Sequence, residues 1–408
     1  MLYIMKLSGC VFPLLTFPYL TRVLDPAGYG LVTYSDSIMT YFMLLVDFGF
    51  LLSATRSCAL NRDDKAKLSD IGSAATQAKF FLAAGGFLIL AVLVLTVDVF
   101  REMALFLVLS YLSVFLNAFI PDFLFRGLER MDQITYRFLL SRLIYTASIF
   151  VFIHSPSDYL WIPILNMVTN VFIVVWSWMI LIRKFDIHPR VVPFKLMWES
   201  LRESLPYFFS RIATTAYSST NVLLLGFYFN TSQLAMFTAP NNLITKGRGM
   251  FSPISDSIYP YMVKSKNYKL LKKILLILMP LIFAGCVVLF IFADFFVELL
   301  CGSQYADAVP VFRAMIPLLF LTLPIYLLGF PTLGALGLIK ETNLTTIYAA
   351  VFHIIGLGIL ILTGHLTFIA VSILTCVSEC IVLGTRIYYL MIGLKRKRLE
   401  TIHEKTVE

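Results

Sequence analysis

Read for apolar and polar positions, the chain is a succession of long apolar runs separated by short polar breaks. Twelve runs stand out, near residues 2–21, 31–53, 77–97, 103–125, 138–154, 159–182, 205–228, 233–261, 274–294, 309–338, 343–362 and 366–393. An α-helix needs about 20 apolar residues to cross bilayer hydrocarbon, and most of these runs supply them; the fifth is short and the eighth unusually polar. The pattern predicts an all-α integral membrane protein with about twelve transmembrane helices.

Composition narrows this further. Of 408 residues, 59% are hydrophobic and 14% charged, with mean hydropathy +0.83. A soluble domain carries about a quarter charged residues. What remains outside the spans excludes a sizeable soluble domain, a large extracytoplasmic loop and a nucleotide-binding module. The net charge of +9 matters through its placement, and nucleic acid is not an expected partner. One set of alternate connections and ends holds 25 basic residues; the other holds Arg22 and Arg101. By the positive-inside rule both termini are predicted to be cytoplasmic. The basic segment 183–204, with Pro189, Pro193 and Trp198, is the longest connection between spans. It divides the chain into an N-terminal six-helix lobe (1–182), a cytoplasmic linker (183–204), a C-terminal six-helix lobe (205–394) and a basic cytoplasmic tail (395–408). The first apolar run lacks the basic flank and small-residue cleavage site of a signal peptide. The six cysteines and scattered histidines show no metal-ligand spacing, and no metal or other cofactor is expected.

The halves look related. Shifted by 205, Gly30-Leu31-Val32-Thr33-Tyr34-Ser35-Asp36 lies against Ala235-Met236-Phe237-Thr238-Ala239-Pro240-Asn241. Span two then maps onto span eight, polar position for polar position. Thr33, Asp36, Thr40, Met43 and Asp47 fall within about 80° on a helical wheel. Their counterparts Thr238, Asn241, Thr245, Arg248 and Ser252 form the same stripe. In span seven Ser204, Tyr207, Arg211, Thr215 and Ser218 share a face, and in span twelve Ser372, Thr375, Glu379 and Arg386 do. A charge at mid-bilayer costs about 2.5–3.5 kcal/mol on insertion scales, so such faces turn to a protein interior or to water. Internal repeats are common in transporters, with the substrate site between them. A hydrated central cavity between the two lobes is therefore expected, lined by Arg211, Arg248, Asp36, Asp47 and Glu379. Lys6 and Arg142, nearer the cytoplasmic face, read as interfacial. In span ten Pro310, Pro317, Pro324 and Pro331 recur every seven residues, within about 60° of one another, which predicts a bent helix.

Several segments together resemble Wzx-type polysaccharide-repeat flippases. They are Phe12-Pro13-Leu14-Leu15-Thr16 through Asp25-Pro26-Ala27-Gly28-Tyr29-Gly30, Leu45-Val46-Asp47-Phe48-Gly49-Phe50, Phe123-Leu124-Phe125-Arg126-Gly127-Leu128-Glu129-Arg130, Ser204-Leu205-Pro206-Tyr207-Phe208-Phe209-Ser210-Arg211 and Ile258-Tyr259-Pro260-Tyr261. Spans nine to twelve match mainly in pattern. Members of the family begin with more residues before the first span, so a longer N-terminus is expected here.

The resemblance implies two six-helix lobes around a central cavity and a flippase of the bacterial inner membrane. Its substrate would be undecaprenyl-pyrophosphate-linked oligosaccharide repeat units of O-antigen or capsule type, moved by alternating access. Membrane lipids, a polysaccharide polymerase and a chain-length regulator are the implied partners. On this reading Arg211 and Arg248 hold the pyrophosphate, because guanidinium forks match phosphate oxygens. Asn241, Thr245, Ser252, Thr215 and Ser218 meet the sugar hydroxyls, and Asp36, Asp47 and Glu379 are coupling or cavity acids. The alternative is a multidrug or small-solute cation-coupled antiporter of the same superfamily. A membrane enzyme is disfavoured: His154 and His365 are isolated, and the longest outer connection, 295–308, is short.

Overall fold

The computed structural model describes residues 2–265 and 268–407, and every element among them is helical. Packing divides the chain into two units, Met1–Ala235 and Met236–Glu408.

The first unit begins with α1 (Leu2–Val23) and α2 (Pro26–Asp47). Asp25 caps α2, its Oδ1 accepting from the Gly28 N–H at 2.7 Å, and Pro26 follows where no amide is needed. Span two is broken rather than continuous. Phe48 (φ 42°) and Gly49 (φ 82°) are both left-handed and turn the chain into α3 (Phe50–Leu60). Gly49 is doubly constrained: the positive φ disfavours a side chain, and a Cβ would lie 2.9 Å from the Phe208 amide nitrogen. The unit continues with α4 (Lys65–Thr96), the short α5 (Asp98–Glu102), α6 (Ala104–Asn117), α7 (Asp122–Gly127), α8 (Met131–Phe152) and α9 (Trp161–Phe185). Its core gathers Phe50, Leu68, Phe123, Leu124, Phe125 and Leu181, all nearly inaccessible.

The connection to α10 (Phe194–Tyr228) is half extended, half helical. Asp186 ends α9 in the left-handed region (φ 57°). Hydrogen bonds from His188 and Lys65 hold its carboxyl below the usual carboxylate range. The strand-like stretch is then laced to α4. The His188 amide donates to Ser69 Oγ (3.1 Å), the Arg190 amide to Ser73 Oγ (2.9 Å), and the Arg190 guanidinium to Ala66 O and Asp70. From Phe194 onward the expected linker is already α10. That helix packs on α2, α3 and α4, so the division by packing falls at Ala235/Met236 and not within 183–204.

The second unit is built on α11 (Thr231–Gly249, whose first turn belongs to the first unit), α12 (Ser252–Ser265), α13 (Tyr268–Ile291), α14 (Ala293–Cys301), α15 (Val309–Met315), α16 (Pro317–Leu327), α17 (Ile339–Leu362) and α18 (Phe368–Val407). α13 is strongly apolar yet buries only Leu271 and Cys286; one face packs on the second unit's core and the other, equally apolar, is exposed, the signature of a helix whose solvent is lipid. Span ten is segmented, not smoothly bent. Pro310 and Pro317 open α15 and α16, where a missing amide is harmless. Pro331 sits in a widened π-type turn, Leu328–Gly334, in which Gly329 leaves helical geometry (ψ −122°).

Nine stretches among the described residues are long and apolar enough to cross a membrane. Of the twelve expected runs, those in α1, α10 and α11–α12 are not among them. The last is broken at Met250–Phe251 and carries Lys246, Arg248 and Asp256. The side chains of Lys6 and of the tail from residue 396 lie outside the described residues.

Candidate functional site

The sequence stripes become two polar networks, one inside each unit. In the first, Asp47 is the last residue of α2, held there by the left-handed break that follows it. Its Oδ2 accepts from the Arg211 guanidinium of α10, and its Oδ1 lies 3.5 Å from Lys79 Nζ of α4. The Lys79 side chain is 5% exposed and its ammonium stands 5.8 Å over the Phe123 ring. Beside it Arg137 of α8, equally buried, donates to Asp122 and to Ser177 Oγ. These groups edge a cavity of about 540 Å³ lined by residues of α1, α2, α3, α4, α6, α7, α8, α9 and α10. Its neutral polar lining comes from Asn117, Ser141, Tyr145, Asn166, Thr169 and Asn170.

In the second unit Arg248 stands in the last turn of α11, directly before the break at Met250. Its Nε donates to Thr322 Oγ1 of α16 at 2.8 Å, and its Nη2 to Glu379 of α18, whose side chain is 6% exposed. About two turns further along α18, Arg386 donates to Ile325 O, just ahead of the π-type turn, and to Thr345 Oγ1 at 3.3 Å. His353 and Ser378, both inaccessible, share a hydrogen bond of 3.0 Å.

Of the expected site residues, the structure therefore brings Arg211 together with Asp47 in the first unit and Arg248 with Glu379 in the second. Asn241 is half-buried on α11, and Thr245 and Asp36 are exposed. Ser252 falls beyond the α11 break, so the five-residue stripe of span eight does not run along one helix; its Oγ donates to Asp256 at 3.2 Å. The side chains of Thr215 and Ser218 lie outside the described residues. Arg142, expected at the interface, lines the first-unit cavity, as do Lys79, Arg126 and Arg137, which sequence reasoning counted only as loop charges. A signal for them existed. Ile134, Arg137, Phe138, Ser141, Arg142 and Tyr145 follow helical spacing on α8, as Asn166, Thr169, Asn170 and Ile173 do on α9.

Apolar helices that cross a membrane repeatedly, with ion pairs and hydroxyls turned inward in each of two units, define a multi-pass membrane transporter. Its fold is that of known carriers. A multidrug resistance MATE family transporter of the MOP superfamily, in an inward-facing conformation, matches at TM-score 0.68 over 98% of this chain and 99% of its own, with 15% identity. The lipid II flippase MurJ, in an inward closed conformation, matches at TM-score 0.68 over 95% of this chain and 86% of its own, with 14% identity. In sequence, the family described as Polysaccharide biosynthesis protein matches residues 1–266, and the chain belongs to that family. A protein of Escherichia coli (strain K12) named "Putative O-antigen transporter" is 28% identical over 382 residues, 92% of this chain and 91% of that protein. One of the same name from Shigella dysenteriae is 27% identical over 278 residues, 67% of this chain and 69% of that protein.

Proposed function

We propose that this protein is a flippase carrying undecaprenyl-pyrophosphate-linked oligosaccharide repeat units, of O-antigen or capsule type, across the bacterial inner membrane by alternating access. The observation that carries the reading is similarity over nine-tenths of its length to a protein named for O-antigen transport. The site chemistry agrees with it. Arg211 and Arg248 are the pyrophosphate ligands, each resting on a carboxylate that an incoming phosphate can replace at the guanidinium. Asp47 and Glu379 then couple transport: protonating either acid weakens its hold on the arginine and frees the cation for the substrate. Asn241, Thr245, Ser252, Thr215 and Ser218 serve the sugar hydroxyls, and Asp36 adds a further acid on α2. The polymerase and the chain-length regulator of the same pathway are the proposed partners.

Depletion of the protein tests this directly. Surface polysaccharide should disappear while lipid-linked repeat units accumulate on the cytoplasmic leaflet, with Arg211→Ala and Arg248→Ala reproducing the loss at normal membrane level. In reconstituted vesicles, Asp47→Asn and Glu379→Gln should remove any dependence of transport on an imposed proton gradient. Normal surface polymer together with altered drug export would instead favour the antiporter.

A further inference from the structure

The first-unit cavity has a charge imbalance that the ion pairs around it do not remove. Five cations line it, Lys79, Arg126, Arg137, Arg142 and Arg211, against two carboxylates, Asp47 and Asp122. Asp47 serves Lys79 and Arg211, and Asp122 serves Arg137. Arg126 and Arg142 have no carboxylate partner among the described residues. The Arg126 Nε is buried without any hydrogen-bond partner, and Arg142 has the Phe138 ring beneath it at 5.4 Å. A buried guanidinium donor left empty is costly, and native structures normally satisfy such groups with a partner or a ligand. Two of the cations in its wall, Lys79 and Arg137, are each 5% exposed at the side chain, so part of the excess charge acts from desolvated positions and is weakly screened. A volume of about 540 Å³ is that of a small-ligand site, and asparagine amides and hydroxyls fill the wall between the cations.

From this we infer that the first unit contains a phosphoanion-binding pocket in which Arg126 and Arg142 are ligands and Lys79 and Arg137 supply the fixed field. The ligand class is a polyvalent phosphate, a pyrophosphate above all. Its charge answers the excess of three cations, and its oxygens match guanidinium forks. Resting on the flippase reading, the source is the pyrophosphate of the carrier lipid, reached through Arg211, whose side chain is 39% exposed. A soluble pyrophosphate or nucleotide presents the same chemistry, and the experiment separates the two. Arg211 thus has two neighbours of opposite sign, the Asp47 carboxylate and the pocket's anion, and a bound phosphate would draw it from the first toward the second.

The test is calorimetric titration of the purified, detergent-solubilised full chain with inorganic pyrophosphate. Arg126→Gln and Arg142→Gln should each weaken binding by about tenfold or more, the scale of one lost charge-assisted hydrogen bond. Arg313→Gln, paired with Asp294 in the second unit, should bind as the unsubstituted protein does. If Arg126→Gln fails to fold, the exposed Arg142 still yields a monodisperse variant that decides the matter. Equal binding by both variants and the unsubstituted protein, or no binding by any of them, overturns the pocket. Should that happen while depletion still abolishes surface polysaccharide, the flippase reading stands without it. In nanodiscs, undecaprenyl pyrophosphate should displace the inorganic probe whereas undecaprenol should not. Failure of the lipid to compete overturns the carrier as source and leaves a soluble phosphoanion.

Discussion

Arg248 shows how much a single charge demands of its surroundings. Its side chain is 19% exposed, and Glu379 opposite it is 6% exposed. Removing one partner of a buried pair typically costs about 3–5 kcal/mol, because the other charge is left uncompensated. Glu379→Ala should therefore destabilise the protein by that amount, and Glu379→Gln by less, since the amide oxygen still accepts. Replacing both partners by methionine should restore most of the stability, apolar side chains of similar volume being tolerated at such sites. Thermal unfolding in detergent measures all three. The double variant separates two roles: recovered stability with transport still absent assigns Arg248 to substrate, whereas recovered transport makes the pair a packing device only.

At the scale of elements, close helix contact in the first unit depends on small residues. A Cβ on Gly226 of α10 would lie 2.0 Å from the ring of Tyr34 on α2, and Tyr34 is 1% exposed with no room to retreat. Overpacking of this kind costs about 1–3 kcal/mol. Gly226→Ala should lower the unfolding midpoint, and adding Tyr34→Val should recover part of the loss by emptying the space the methyl needs. An additive pair of effects would show that α2 and α10 part easily. The contact matters because these two helices bring Asp47 and Arg211 together. The extended stretch after α9 does comparable work: its bonds to Ala66, Ser69, Asp70 and Ser73, spaced along one face of α4, fix where α10 begins.

For the whole molecule, the asymmetry of basic residues across alternate connections remains the strongest statement of orientation: of the 25 counted on one side Lys79, Arg126, Arg137 and Arg142 line the cavity, and the other 21 still stand against two. It predicts that reporters fused after residues 62, 130, 190 and 265 report a cytoplasmic location, and those near 101 and 305 the opposite one. A location reversed at two or more of these sites would contradict the orientation. Such fusions also determine the number of crossings, since α1, α10 and α11–α12 are the runs whose length and polarity leave their passage to be measured. The exposed apolar surface of α13 is consistent with a lipid-facing position in the second unit.

What the sequence alone determined follows from local rules. Apolar runs of sufficient length must be helices in lipid, since nothing else satisfies the backbone there. Spacing along a helix is equally local, since residues three and four apart share a face. The wheel placed Asp47, Arg211, Arg248 and Glu379 on inward faces for the same reason. It could not pair them. Asp47 and Arg211 are 164 residues apart, and Arg248 and Glu379 131. The partner of a buried charge is whichever group tertiary packing delivers, and a helical period carries no information about that. The breaks at Phe48–Gly49 and Met250–Phe251 were also beyond hydropathy, which sums over a window and passes across a one-residue change of backbone direction. Lys79, Arg126, Arg137 and Arg142 read as loop or interfacial charges until nine helices gathered around them. Only the folded unit turns that basic sequence into a cavity whose excess charge calls for an anion.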